Sequence, residues 1–178
     1  MYLAHISEDG RKQSNEEHLQ GTADLCASFA KEFRAEEQGR FVGLLHDIGK
    51  YSDEFQKRLH GGAKVDHATA GALESARAGA EWGAFCIVGH HSGIPDGGNL
   101  KTDCPGDPTL YGRLKKALAG GIPNYAKNWP GISPKTDPPP QWGKNPLTDS
   151  FLIRMLYCSF LPSHPTRGAW IEILKEGI

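Results

Sequence analysis

Residues 44–50 read LLHDIGK, and residues 89–93 read GHHSG. Each places adjacent imidazole or carboxylate groups directly after an apolar run, where the local pattern implies burial. Buried imidazoles and carboxylates need partners, so whatever fold forms must bring these groups onto one another or onto a shared ligand. That requirement constrains the chain more than its composition does.

The spacing of apolar residues predicts helices. Ser14 and Glu17 stand at capping-box spacing, and Thr22, Leu25, Phe29 and Phe33 follow at steps of three and four, a stripe that also carries His18. A second helix is predicted over 37–48, with Phe41, Val42, Leu44, Leu45 and Ile48 inward, Gly49 as its stop, and His46 and Asp47 in its last turn. A third opens at Asp66 as N-cap with His67 in its first turn and runs through small residues to Ala80. A fourth spans 81–91 and closes on His90 and His91 before Gly93 and Pro95. Further helices are expected over 108–119, with Asp107 as cap and Pro108 as first residue, and over 148–160. No period-2 strand is evident. The fold class is therefore all-α, a single domain of 178 residues, long enough to bury a core.

Charge is balanced, with 20 basic and 21 acidic residues, so bulk electrostatics favours neither nucleic acid nor membrane. Cys26, Cys86, Cys104 and Cys158 form no CxxC pair, and no 18-residue apolar run occurs, so a reduced, soluble, cytoplasmic protein without membrane contact is expected. Residues 120–146 are rich in Pro, Gly and Asn and are predicted to form a long surface loop. Across 97–146, seven Lys or Arg, among them Lys115 and Lys116, face three Asp and are interleaved with Tyr111, Tyr125, Trp129 and Trp142. Cations beside aromatic rings suit single-stranded nucleic acid, and a solvated loop is the alternative.

His18, His46 with Asp47, His67, and the His90–His91 pair each lie at a helix end or on an inward face, six candidate ligands in all. Nitrogen and oxygen donors without thiolate suit Mn, Ni, Co, Fe or Zn, with Mg less suited. A carboxylate beside imidazole can bridge two ions, the usual apparatus for phosphoester hydrolysis. His5, His60 and His164 stand outside this pattern and read as surface residues.

The order H, HD, H, HH, in the local forms LLHDIGK, VDHATAGA and GHHSGIPD, resembles the HD superfamily of metal-dependent phosphohydrolases. Together with the opening MYLAHISEDGRKQSNEEHLQGTA, it is similar to the HD nuclease domain of the type I CRISPR effector nuclease-helicase, often called Cas-three, over residues 1–161. The resemblance implies an HD helical bundle in which His18, His46 and Asp47 hold one divalent ion. Asp47, His67, His90 and His91 would hold the other, so that Asp47 bridges. It also implies that Lys50 matches the lysine after the HD pair, stabilising phosphate charge or orienting Asp47. The implied activity is hydrolysis of single-stranded DNA, with a helicase and the CRISPR surveillance complex as partners. No GxxxxGK[ST] motif occurs in the chain.

One part of the family pattern is absent. RMLYCSFL, from Arg154 to Leu161, begins like the family's RMLFSCLVDAD, but Pro162 and Ser163 replace the aspartate that completes the first metal site. The tail 162–178, including SHPTRGAWIEI, resembles the product of a reading frame entering a type I-C CRISPR repeat, which implies a truncated effector. An impaired remnant or binding module, and an HD phosphohydrolase acting on nucleotides, are the alternative functions.

Overall fold

The computed structural model describes residues 1–131. The expected helix over 148–160, the Pro162–Ser163 replacement, the domain boundary at 161, Trp142 and His164 lie outside the described residues. Among those described, helices dominate: α1 (Asn15–Ala30), α2 (Glu36–Leu45), α3 (Asp53–Leu59), α4 (Ala68–Arg77), α5 (Glu81–Gly89) and α6 (Leu110–Leu118). The all-α class holds, with one correction. A short antiparallel hairpin, β1 (Leu3–Ile6) and β2 (Lys12–Ser14), precedes α1, pairing Leu3 with Ser14 and Ile6 with Lys12. An irregularity between Leu3 and His5 breaks the period-2 alternation, and the strands are too short to carry a pattern.

Helix α1 begins as expected. The Ser14 hydroxyl accepts the Glu17 N–H at 3.2 Å, and the Glu17 carboxylate accepts the Ser14 N–H at 3.0 Å. Its inward face differs from the expected stripe: Leu19, Ala23, Cys26, Ala27 and Ala30 are buried, whereas Leu25 is 50% exposed. The reason is close packing against α2. A Cβ on Gly43 would lie 2.5 Å from Ala23 Cα, and one on Gly39 would lie 2.5 Å from the Cys26 carbonyl oxygen. Small residues mark the interface, and small residues leave little trace in a hydrophobic stripe.

Helix α2 buries Phe41, Val42 and Leu45, with Leu44 only half-buried, and ends before His46. Asp47 and Ile48–Tyr51 form a separate tight turn of 3₁₀ type. Gly49 is not a left-handed stop. It is buried in that turn, where a Cβ would meet the His67 carbonyl oxygen at 2.2 Å. Likewise, a Cβ on Gly71 of α4 would meet the Leu45 carbonyl oxygen at 2.0 Å. These two absent side chains let the start of α4 approach the turn after α2.

The unexpected α3 is capped by Ser52, whose hydroxyl accepts the Phe55 N–H at 3.3 Å, but buries only Phe55, so no periodic signal announces it. Gln56 on α3 clasps the hairpin, exchanging hydrogen bonds with the Leu3 N–H (3.0 Å) and carbonyl (2.9 Å) and donating to the Lys50 carbonyl (2.8 Å). Helix α4 starts one residue after His67 and ends at Arg77. Asp66 still serves the helix start, accepting the Thr69 N–H at 3.1 Å and its hydroxyl at 2.7 Å. Helix α5 ends at Gly89, leaving His90 as its cap. Helix α6 is capped by Thr109 instead of Asp107, whose carboxylate accepts the Cys104 N–H. The core gathers Phe41, Leu45, Ile48, Ile87, Val88 and Leu110. No described helix is long and apolar enough to cross a membrane.

Candidate metal centre

Four elements meet at one point: the first turn of α1, the turn after α2, the start of α4 and the end of α5. They bring His18, His46, Asp47, His67, His90 and His91 together around the Asp47 side chain, which is buried. Asp47 Oδ2 lies 2.9 Å from His18 Nε2 and 3.2 Å from His46 Nε2, and accepts from Lys50 Nζ at 2.8 Å. Oδ1 lies 3.3 Å from His67 Nε2 and 3.2 Å from His90 Nε2. One carboxylate thus turns one oxygen toward each group of imidazoles.

The outer nitrogens explain what the inner ones can do. The Nδ1–H groups of His46, His67 and His90 donate to the carbonyls of Gly43 (2.8 Å), Val65 (3.3 Å) and Ile87 (2.6 Å). A carbonyl only accepts, so these bonds set the tautomer and leave each Nε2 as a lone pair aimed inward. His18 Nε2 and His46 Nε2 stand 3.1 Å apart, and His67 Nε2 and His91 Nε2 2.8 Å apart. Most telling, Asp47 Oδ1 and His90 Nε2 are both buried and have no hydrogen-bond partner. Two facing lone pairs withdrawn from water are costly unless a cation lies between them.

Protonation favours the same reading. Burial pushes the His18 and His67 imidazoles below their ordinary value, and partial burial, then His90 and His67, push His91 down to about 4. At neutral pH these rings are uncharged, the form that ligates metal. Burial alone would raise the Asp47 carboxyl, but the surrounding imidazoles, His46 before His18, hold it well below the usual carboxylate range. The donors therefore fit divalent ions in two groups, Asp47 with His67, His90 and His91, and Asp47 with His18 and His46.

The HD-domain family model matches residues 15–121 of the chain. The chain belongs to the HD-domain family. Membership indicates a metal-dependent phosphohydrolase, and the His and Asp cluster is a group that could hold its metal. No curated protein matches the chain.

The HD domain places the remaining sequence-derived candidates unevenly. Lys50 is buried beside Asp47, with its ammonium 2.8 Å from Oδ2. Lys115 donates to the Asp103 carbonyl at 2.5 Å, and Trp129 packs on the core and lines a cavity of about 230 Å³ with Leu19, Leu44 and Tyr51. Neither Lys115, Lys116 nor Trp129 lines either of the two cavities, of about 590 and 370 Å³, that border His67 and His91. His60 is exposed as expected. His5, read as a surface residue, is exposed but belongs to the site. Its Nε2 lies 3.2 Å from Lys50 Nζ, and its ring meets His18 edge-on with centroids 4.8 Å apart. Buried Asn15 reaches the Asp47 carbonyl with its amide at 3.5 Å. No local pattern marks either residue, because both arrive through the hairpin and its junction with α1.

Proposed function

We propose that this HD domain is a divalent-metal-dependent nuclease for single-stranded DNA, acting in the cytoplasm in type I CRISPR interference with a helicase and the RNA-guided surveillance complex. The observation that carries the hydrolytic reading is the Asp47 carboxylate, divided between two imidazole groups with one oxygen left unpartnered. The CRISPR assignment rests on the local forms LLHDIGK, VDHATAGA and GHHSGIPD and on the N-terminal segment.

In this reading His67, His90 and His91 with Asp47 hold one ion, and His18 and His46 with Asp47 hold the other. Mn, Ni, Co, Fe and Zn suit these donors better than Mg. When bound, such ions supply Lewis acidity toward phosphate oxygens and lower the pKa of water to about 7. The protein's own part is orientation. The carbonyls of Gly43, Val65 and Ile87 fix three rings, and Lys50 fixes Asp47 while lining the adjoining cavity of about 590 Å³, where its ammonium can offset charge on the scissile phosphate.

The uneven donor count favours a second reading, in which the chain holds one ion firmly and turns over slowly or only binds. Incubating the purified chain with single-stranded DNA, and separately with nucleotides, in Mn, Ni, Co or Mg tests both. Metal-dependent cleavage of single strands, lost in Asp47→Ala, supports the nuclease. Release of phosphate from nucleotides with DNA left intact overturns it.

A further inference from the structure

Two adjoining cavities, of about 590 and 370 Å³, border the metal centre at His67 and His91 and also share Lys64. The larger is lined by His5, Lys50 and Arg58, the smaller by Asp66 and Arg113. Arg58 comes from the last turn of α3, Lys64 from the α3–α4 connection and Arg113 from α6, so three separate elements aim cations at one cleft. Among the described residues, none of these three makes an ion pair. Arg58 instead lies over the Phe55 ring at 5.7 Å. The one lining carboxylate, Asp66, is taken up by Thr69. Beyond the candidate ligands, side chains able to read a base edge are few, His5 and Ser92 being the neutral ones.

Resting on the hydrolytic reading above, we propose that Arg58, Lys64 and Arg113 form a phosphate track along the His67–His91 edge of the metal centre, and that the cleft takes a single-stranded oligonucleotide without regard to sequence. A mononucleotide offers phosphate charge at one end only and needs a base pocket with donors and acceptors. Cations spread over two adjoining cavities instead match a backbone that continues past the scissile phosphate. Each neutralised phosphate of a single strand contributes roughly 0.7 to the salt-dependence slope of binding, so three contacts contribute about 2.

The test is fluorescence anisotropy of the full chain, loaded with Mn, against a labelled oligothymidylate of about ten nucleotides, titrated between about 50 and 200 mM KCl. R58A/K64A/R113A is expected to lower the slope by about 2 and weaken binding by at least about tenfold at the low-salt end. R58K/K64R/R113K, which keeps the charges, is expected to retain the slope and shows that the first variant's loss is electrostatic. An unchanged slope in the alanine variant overturns the track, as does thymidine triphosphate competing as tightly as the oligomer. The parent reading fails separately: an oligomer bound with this slope but cut under no metal leaves the track standing and removes the nuclease.

Discussion

The two halves of the metal centre share one carboxylate and little else. On one side Asp47 joins three imidazoles, and the rings of His67 and His90 are pinned through Nδ1 by backbone carbonyls, with side chains only 10% and 8% exposed. On the other, Asp47 joins two imidazoles. There only His46 is pinned by a carbonyl, and His18, 17% exposed, leans against the exposed His5. Four donors with two pinned rings and three donors with one do not hold dications equally, because a second dication nearby must be offset by charge that, among the described donors, only Asp47 supplies.

Removing the shared group should erase the difference. Asp47→Ala is expected to abolish metal retention in both halves and reduce hydrolysis to background. It also strands the buried Lys50 ammonium, costing about 3–5 kcal/mol in chelator. Metal analysis and urea melts read the two effects, and an ion retained by this variant breaks the bridging assignment.

Single-ligand variants sharpen the comparison. After dialysis the wild type is expected to retain one ion per chain and to take a second only at high metal concentration. His67→Ala should lose the retained ion, its affinity falling by more than the roughly hundredfold that outer partners cost, whereas His18→Ala should keep it. Elemental analysis decides: two equivalents in the wild type, with brisk cleavage, would mean that the weaker half is complete.

Lys50→Met should cost about 3 kcal/mol in chelator, where it leaves a buried carboxylate without its cation, and less once ions are loaded. Equal losses in both conditions would show that Lys50 does not share Asp47 with the metals. The smallest effect is in pH. His18, His67 and His91 sit below 6.5 in the folded chain, His91 at about 4, so the unfolded chain binds more protons between those values. Stability of the metal-free chain should therefore fall as pH drops from 6.5 toward 4 and stay level above. Denaturant midpoints in chelator read this, and a flat profile across that window would place these rings in water instead of against one another.

Much of the candidate site was legible before the fold. Helix periodicity put His46, His67, His90 and His91 at helix ends, and the Ser14–Glu17 box set the start of α1 and so the place of His18. Boundaries were less legible: α2 stops before His46 because the chain turns to bring Gly49 under His67, a contact between distant segments. Side-chain placement was less legible still. Counting charge along 97–146 singles out Lys115 and Lys116; Lys115 donates to the Asp103 carbonyl, while Arg58, Lys64 and Arg113, from three elements, line the cavities beside His67 and His91.

Residue type and short-range spacing are local properties, and they sufficed to name the candidate donors and the helices they adjoin. Which donors meet depends on how closely helices approach, and that was settled by glycines whose missing Cβ atoms let α1, α2 and α4 come into backbone contact at Gly43, Gly49 and Gly71. The same long-range packing decided what no local pattern contains: the imidazole tautomers set by Gly43, Val65 and Ile87 carbonyls, the His5–Lys50 contact delivered by Gln56, and the orphaned oxygen of Asp47.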